Sequence, residues 1–144
     1  MRLAWGRLVL LPVLVLAAAA CGGDPAPPTA AERTYGAAVA TADAVPAPAV
    51  AAEPARYASR PVTIDGRVAR VVANGCGLIL RANGASVRVD APTAPDGCAW
   101  RFPAGTDGIA VAAGTLRTTG DTLRLSASGV QVTPVQPAGA KSAP

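Results

Sequence analysis

The residues with the clearest chemistry in this sequence are three cysteines, Cys21, Cys76 and Cys98. In an exported protein an odd number of cysteines leaves one outside the disulfide framework. We predict a structural disulfide between Cys76 and Cys98, with Cys21 as the remaining cysteine. Two alternatives stay open: Cys76 and Cys98 are separate buried thiols, or they form an exposed pair that works in redox chemistry or metal handling. Resistance to mild reductant distinguishes a structural disulfide from a redox-active one.

Acid–base and nucleophilic catalysis find little support among the other side chains. The sequence contains no histidine, which removes the imidazole that many enzymes use as base, proton shuttle or metal ligand. A serine or cysteine nucleophile has no evident neighbouring base, because Lys141 stands in the C-terminal tail. Five aspartates are candidates for carboxylate catalysis or calcium binding, but their positions favour caps and turns. They are Asp65, Asp90, Asp96, Asp107 and Asp121. The sequence therefore predicts a protein that is not an enzyme and holds no metal or cofactor.

Arginine supplies the positive charge of the C-terminal half. Between residues 56 and 134 there are nine arginines and five aspartates, so an anionic ligand is one candidate partner. The candidate ligand surface consists of Arg67, Arg88, Trp100 and Phe102. Two other interpretations remain: the arginines are solvated strand faces, and Trp100 with Phe102 forms a lid over one end of a barrel. Aromatic residues are scarce, at 3% of the chain, which argues against nucleic acid because bases need stacking partners.

Residues 1–20 have the pattern of a signal peptide. Two arginines precede an apolar run from Leu8 to Ala20, which is shorter than the roughly 20 residues of a membrane span. The small residues before Cys21 are similar to the lipobox of bacterial lipoproteins, in which that cysteine is acylated. An Ala-x-Ala motif directly before Cys21 also suits ordinary signal peptidase, which leaves a bare thiol. We expect a cell-envelope protein that faces the periplasm and is held to the membrane by a lipid on Cys21.

Composition divides the exported chain into a tether, a compact domain and a tail. Residues 21–57 are rich in alanine and proline, which predicts a disordered tether with a short helix near 47–57. A Tyr-Gly pair at 35–36 interrupts this tether, and we expect it to dock on the domain. Residues 58–134 alternate apolar and polar side chains and form the domain, and residues 135–144 form a disordered tail.

Five strands are predicted within this domain from period-two alternation and turn signals. They cover residues 61–73, 76–81, 85–90, 107–116 and 121–132. Val62, Ile64 and Val68 of the first strand are expected to face inward. Gly66, which has no side chain, is expected to permit a bend or bulge in the same strand.

The connections between these strands predict their arrangement. Asn83-Gly84 is a strong hairpin signal, and Thr118-Thr119-Gly120 is a second turn signal. The segment 91–106 is rich in proline and glycine, so we expect a long connection without strands. Two hairpins separated by such a connection predict an all-β fold, a small five-stranded OB-like barrel.

Several short motifs of the chain occur together in one order. They are Tyr35-Gly36-Ala37, Glu53 to Val62, Ile64 to Val68, Gly75-Cys76, Val87 to Val89, and Phe102-Pro103. This series resembles the bacterial domain-of-unknown-function 4920 family over about residues 35–132, which implies an exported OB-like β-domain with no established activity. The family pattern has a cysteine five positions before the one that matches Cys76 and a tryptophan after it, where this chain has Val71 and Gly77. Because of this departure from the family pattern, the sequence does not support a paired-thiol metal or redox site at this turn.

Together these features predict a cell-envelope lipoprotein whose OB-like domain is a binding or interaction module without catalysis. Its expected partners are the membrane, through the N-terminal lipid, and an envelope protein or small ligand that the sequence does not identify. One alternative is a redox-active or metal-handling protein that uses Cys76 and Cys98. Another is a domain whose arginine face binds an anionic ligand or nucleic acid.

Overall fold

The computed structural model describes residues 31–135 of the 144-residue chain. The predicted signal peptide, the candidate lipid site Cys21 and residues 136–144 of the predicted tail lie outside the described residues. The strands and helices are, in order, β1 (Arg33–Gly36), β2 (Val45–Pro46), α1 (Ala47–Ala52), α2 (Pro54–Tyr57), β3 (Pro61–Val71), β4 (Gly77–Ala82), β5 (Ala85–Asp90), β6 (Thr93–Ala94), β7 (Gly97–Cys98), β8 (Ile109–Thr119) and β9 (Thr122–Thr133). Within residues 31–135, no helix has the length and apolar character needed to cross a membrane.

Five of the strands close into a barrel. β3 pairs with β4, β4 with β5, β9 with β8, and β8 with β3, all antiparallel, whereas β5 pairs with β9 in parallel. The cyclic order is therefore β3-β4-β5-β9-β8, which is the arrangement of an OB-like barrel. The predicted all-β fold is confirmed. Closure gives each barrel strand a neighbour on both sides over part of its length and so removes most of the exposed edge that an open sheet presents.

The barrel interior is filled by aliphatic side chains. The largest fully buried ones include Ile64, Leu78, Leu80, Leu116 and Leu125. They come from alternating positions of their strands, as expected where one face of a strand is buried. Each contributes about 1.5–3 kcal/mol relative to an exposed position. Of the predicted inward residues of β3, Ile64 and Val68 are buried and Val62 is half-buried.

The hairpin turns depend on residues that adopt a positive φ. Asn83 and Gly84 have φ of 37° and 81°, as a tight turn between β4 and β5 requires. The strand predicted over residues 85–90 has the same bounds in the structure. The last hairpin differs from the prediction, because β8 is longer and its turn is Gly120-Asp121 rather than residues 118–120. Gly120 supplies the positive φ of 59° at this turn.

The connection between β3 and β4 is a longer turn than predicted. β3 ends at Val71 rather than residue 73, and β4 begins at Gly77 rather than Cys76. The Cys76 backbone N–H donates to Asn74 Oδ1 at 3.0 Å, and Gly75 has a φ of 75°. This side-chain capping holds Cys76 in the turn, outside the strand ladder.

β1, β2, α1 and Tyr57 of α2 pack on the barrel, in the region that the sequence predicts as a disordered tether with a docked Tyr-Gly pair and a short helix. β1 pairs with residues 129–132 of β9, beyond the part of β9 that pairs with β5. β2 pairs with β3 at Ile64 and Asp65, before the part of β3 that pairs with β4. The two short strands therefore satisfy backbone groups that the barrel leaves unpaired on β9 and β3. The predicted docking of the Tyr-Gly pair at 35–36 is confirmed, since it lies in β1 and Tyr35 packs on the core.

The short helix predicted near 47–57 is present as two separate turns, α1 and α2. Glu53 separates them, and Pro54, which has no backbone N–H, begins α2. α1 packs against β3, β4 and β5 and buries Ala47 and Val50 completely. This small helix therefore extends the core at the β3–β4–β5 side of the barrel.

Gly66 has a different role from the one predicted. The shift in register between β3 and β4 lies between Val68 and Arg70, not at Gly66. A Cβ at Gly66 would lie 3.1 Å from the Ala47 Cβ atom, which is tighter than ordinary contact. The missing side chain thus lets α1 approach β3 closely.

The connection from residue 91 to 106 covers the barrel end where β5 finishes and β8 begins. It contains the short pair β6 and β7, which the sequence did not predict because two-residue strands show no alternation. Its anchor is Phe102, which is 3% exposed. The Phe102 N–H donates to the Gly75 carbonyl at 2.8 Å, and its ring centroid lies 4.6 Å from that of Tyr35. Phe102 therefore belongs to the core, in keeping with the lid interpretation.

Candidate functional site

Three arginines stand side by side on the outer face of the barrel. Arg88 of β5 is the register partner of Arg124 on β9, and Arg124 is also the partner of Arg117 on β8. Neighbouring strands are about 4.8 Å apart, so the three side chains leave the sheet along one line. Burial alternates along β9, with Arg124 exposed between Leu123 and Leu125. We call Arg88, Arg124 and Arg117 the arginine row.

Asp90 is the acidic partner of the arginine row. Its Oδ1 atom accepts a hydrogen bond from Arg88 Nε at 2.6 Å, and its Oδ2 atom accepts one from Arg124 Nε at 2.9 Å. The Asp90 side chain is only 20% exposed, so these pairs are more desolvated than ordinary surface salt bridges. One carboxylate is thus shared by two guanidinium groups, and the row keeps a surplus of positive charge.

Two arginines near Asp90 have no carboxylate partner among residues 31–135, namely Arg117 and Arg101. Arg117 is exposed at the end of the arginine row. Arg101 donates from one guanidinium nitrogen to the Asn74 carbonyl at 2.8 Å and from the other to the Asp96 carbonyl at 3.4 Å. Carbonyl acceptors fix the position of the guanidinium group without neutralising its charge.

A surface depression of about 530 Å³ brings these groups together. Its lining includes Asp90, Arg101, Arg117 and Arg124, and the two cysteines form part of its wall. Cys76 and Cys98 lie at disulfide distance, as predicted, with their sulfur atoms 2.12 Å and their Cα atoms 5.8 Å apart. This link ties β7 to the turn before β4, and the same two segments provide the carbonyls that hold Arg101. The disulfide and Arg101 therefore form one structural unit at the edge of the depression.

The chemistry of this arrangement suits an oxyanion. A guanidinium group offers paired N–H donors in a planar fork, which matches carboxylate, phosphate and sulfate oxygens. It also stays charged at any pH that a folded protein experiences. Three arginines and one carboxylate around a single depression are therefore chemically suited to a negatively charged group.

The structure does not bring together the four residues predicted as a ligand surface. Arg88 belongs to the arginine row and is bonded to Asp90, but it does not itself line the depression. Arg67 is paired instead with Asp107, at 4.0 Å, and does not line the depression. Phe102 is buried, and Trp100 packs over Gly36, where a Cβ atom would lie 2.6 Å from its ring. The two aromatic residues thus hold β1 and the connection in place and do not face the arginine row.

The residues that sequence reasoning did not combine are Asp90, Arg101, Arg117 and Arg124. The sequence alone places Arg117 and Arg124 on an arginine face that is either solvated or binds an anionic ligand, and it does not indicate which arginines are neighbours. The signal that relates Arg88 to Arg124 is the OB strand order, which places the third barrel strand beside the fifth. The register that aligns the arginines across these strands comes from three-dimensional pairing and is absent from the sequence pattern. Arg101 carried no signal, because it lies in an irregular connection.

Asp107 shows the role expected of a capping aspartate, whereas Asp65 lies within β3. Asp107 Oδ1 accepts a hydrogen bond from the Gly108 N–H at 2.7 Å, as an aspartate at a strand start often does. Within residues 31–135, no group of three or more cysteine, aspartate or glutamate side chains is placed to hold a metal ion.

Comparison with known proteins yields little. No protein-family model matches the chain, and no curated protein matches it. Among solved structures, a Leishmania major Friedlin protein assigned as an aspartyl-tRNA synthetase is similar, with a TM-score of 0.48 and 18% sequence identity. The match covers 68% of this chain and 22% of that chain. Similarity at this level supports no statement about the function of this protein.

Proposed function

We propose that this protein is an exported, lipid-anchored module of the cell envelope that binds an anionic ligand at the arginine row and does not catalyse a reaction. A lipid on Cys21 would hold it to the membrane, facing the periplasm. The signal pattern of residues 1–20 and the small residues before Cys21 support export and the anchor. A cysteine pair at disulfide distance is in keeping with an oxidising compartment.

The observation that carries the binding proposal is the alignment of Arg88, Arg124 and Arg117 on neighbouring strands. Arg88 and Arg124 share the Asp90 carboxylate, and Arg117 has no carboxylate partner within residues 31–135. Two unit charges about 5 Å apart repel each other by about 0.8 kcal/mol in water and about 3 kcal/mol at an effective dielectric constant of 20. Asp90 offsets one of the three charges, and the remaining positive charge favours a bound anion. A bound anion removes this repulsion and gains paired hydrogen bonds.

The aromatic residues make nucleic acid a poor candidate for this surface. Proteins that bind single strands stack successive bases on exposed aromatic side chains. Here Phe102 is buried beneath the connection of residues 91–106, and Trp100 packs over Gly36. The arginine row therefore offers charge and hydrogen bonding without a stacking platform beside it.

Retention of the purified protein on a heparin column tests the binding proposal. Wild-type protein should be retained at low salt and elute steeply as salt screens the interaction. The double variant Arg117→Gln/Arg124→Gln should elute at clearly lower salt. The matched control is Arg70→Gln/Arg81→Gln, which removes the same charge from two exposed arginines outside the depression and should elute close to wild type.

Two outcomes would contradict the proposal. Wild-type protein that passes the column at low salt binds no polyanion at this surface. Equal losses of retention in the two double variants would mean that heparin responds to net charge and not to the arginine row. Thermal melting of each variant verifies that the fold is intact.

The anchor has its own test in Cys21→Ala. Acyl chains supply membrane affinity of about 0.8 kcal/mol per buried methylene, so this variant should move from the membrane fraction to the soluble fraction of the envelope. Unchanged partitioning would contradict the lipid anchor. It would leave the binding proposal intact, because Cys21 lies outside the described domain.

A further inference from the structure

The depression at the arginine row is one part of a longer groove. A second depression of about 490 Å³ shares Arg117 with it. A third, of about 710 Å³, shares Ser126 with the first and Thr115 with the second. Thr115 and Ser126 are register partners on β8 and β9, and Arg117 and Arg124 are the next pair on the same face. The three depressions therefore adjoin one another across the outer face of β9, β8 and β3, and we call them together the long groove.

Hydroxyl groups line the part of the long groove away from the arginine row. They belong to Thr63, Thr115, Ser126 and Ser128, which we call the hydroxyl strip. The Ser128 hydroxyl donates to the Ala113 carbonyl at 3.1 Å, which leaves its oxygen free to accept another hydrogen bond. The hydroxyl strip thus offers both donors and acceptors to a ligand.

The floor between these hydroxyl groups is flat. Ala113 and Gly114 form it, and the register of β8 and β9 shifts at this point. A Cβ atom at Gly114 would collide with the Ser126 carbonyl oxygen, so only glycine fits there. A ligand can therefore lie close to the backbone without meeting a large side chain.

The far wall of the long groove contains an aromatic ring and further positive charge. Tyr57 lines it together with Arg56, Arg60 and Asp43. The Arg56 guanidinium carbon lies 5.7 Å from the centroid of the Tyr57 ring, and Arg56 also pairs with Glu53. Arg60 is exposed and forms no salt bridge within residues 31–135. Positive charge therefore lies at both ends of the hydroxyl strip.

The long groove exceeds the size of a small anion. β5 and β3 are three strand spacings apart, and Arg124 and Ser128 are four residues apart along β9. The diagonal of these two distances is roughly 20 Å on the sheet surface. A phosphate or a single sugar acid would occupy only the depression at the arginine row. The extent of the long groove indicates a ligand of several linked units.

We propose that the long groove binds an elongated acidic oligosaccharide, an inference that rests on the proposed function because the arginine row would hold acidic groups of the same ligand. Acidic groups pair with Arg117 and Arg124 at one end and with Arg60 at the other. Sugar hydroxyls exchange hydrogen bonds with the hydroxyl strip, and one sugar face packs on the Tyr57 ring. A nucleic acid strand suits the groove less well, because Tyr57 is the one aromatic residue among those that line it.

Isothermal titration of the purified protein with oligogalacturonates of increasing length tests this inference. Affinity should rise from the monomer to the length that spans the groove and then stay constant. The double variant Thr115→Val/Ser126→Ala keeps all charges and should weaken binding of the long oligogalacturonates about tenfold, which corresponds to the loss of one to two hydrogen bonds. The matched control Ser86→Ala/Thr122→Val removes two exposed hydroxyls outside the groove and should bind like wild type.

Two further probes separate this inference from the proposed function. Inorganic tripolyphosphate should bind wild type and the hydroxyl-strip variant equally, and Arg117→Gln/Arg124→Gln more weakly. Oligothymidylate of matched length should bind more weakly than oligogalacturonate.

Each contrary outcome has a distinct meaning. A monomer that binds as tightly as the longer oligogalacturonates overturns the elongated ligand. If oligothymidylate binds as tightly as oligogalacturonate and the hydroxyl-strip variant binds like wild type, the ligand is not recognised as a saccharide. The groove would then bind polyanions by charge alone. Tripolyphosphate binding without any oligogalacturonate binding also overturns this inference and leaves the anion-binding proposal standing. Absence of binding to every anion refutes the proposed function itself.

Discussion

Asp90 offers the sharpest test of how the arginine row works, because it is expected to stabilise the fold and to weaken ligand binding. Its carboxylate is bonded to Arg88 and Arg124 and lines the same depression as Arg101 and Arg117. Replacement by asparagine keeps the shape of the side chain and removes one negative charge. We predict that Asp90→Asn binds anions more tightly and unfolds more easily than wild type.

The size of the gain in affinity follows from the distance between charges. An anion held by Arg117 and Arg124 would lie about 6 Å from the Asp90 carboxylate, where two unit charges repel by about 0.7 kcal/mol in water and about 3 kcal/mol at an effective dielectric constant of 20. Because Asp90 is partly exposed, a repulsion of about 0.7–1.4 kcal/mol, near the lower end of this range, applies. Asp90→Asn should therefore bind tripolyphosphate about three- to tenfold more tightly.

The loss of stability comes from the hydrogen bonds between Asp90 and the two arginines, which become weaker in the variant. Wild-type Asp90 accepts charge-assisted hydrogen bonds from two guanidinium groups, and a neutral amide accepts weaker ones. Solvent screening of partly exposed pairs limits the loss to about 1 kcal/mol. The remaining arginines also repel one another more strongly once the shared carboxylate is neutral.

Isothermal titration with tripolyphosphate and urea unfolding measure the two effects on the same samples. Asp107→Asn is the matched control, since it removes one carboxylate from a salt bridge with Arg67 outside the depression and should leave affinity nearly unchanged. The affinity gain should shrink at high salt because added ions screen the Asp90 charge. If Asp90→Asn is fully folded and still binds tripolyphosphate more weakly than wild type, the reasoning is refuted. That result would mean that Asp90 acts chiefly by orienting the arginines for the ligand.

Three predictions concern the scaffold that carries the site. The double variant Cys76→Ala/Cys98→Ala opens a loop with a sequence separation of 22 residues and should lower the free energy of unfolding in urea by about 3 kcal/mol; a loss below about 1 kcal/mol would show that the link contributes little beyond local contacts. Phe102→Ala removes the buried anchor of the connection and should cost about 3–5 kcal/mol, with Phe102→Leu clearly milder because it fills most of the space; equal costs would contradict the packing argument. In Gly129→Ala the new Cβ would collide with the Ala37 carbonyl oxygen, so β1 should detach and limited proteolysis should cut residues 31–45 first. Wild-type protection of that segment would show that β1 accommodates the methyl group.

The five barrel strands were accessible from the sequence because each has one face in the core. The alternation of Leu123, Leu125 and Ala127 with polar residues marks β9, and Asn83-Gly84 fixes the first hairpin. These signals are local, and a pattern of period two is sufficient to detect them. The same alternation correctly places Arg88 and Arg124 on the outer face, although it does not reveal that they are neighbours.

The features that escaped prediction depend on contacts between distant parts of the chain. β1 and β2 are four and two residues long, so neither shows alternation, and the alanine- and proline-rich sequence around them resembles a linker. They become strands because β9 and β3 present unpaired backbone groups to them. The arginine row and the long groove likewise require the register of β8 and β9, including the shift at Gly114. No property of the individual residues encodes that register.

The pairing of β1 with β9 also determines where the chain enters and leaves the domain. Arg33 is the register partner of Val132, and Ala31, Arg33 and Val135 line one shared depression. The Asn83-Gly84 turn lies at the opposite end of the barrel, because β5 starts there and runs parallel to β9. A reporter fused after Val135 would therefore emerge beside the segment that leads to the proposed membrane anchor. A circularly permuted chain, with residues 31 and 135 joined and new ends at Asn83-Gly84, would keep every barrel strand in place.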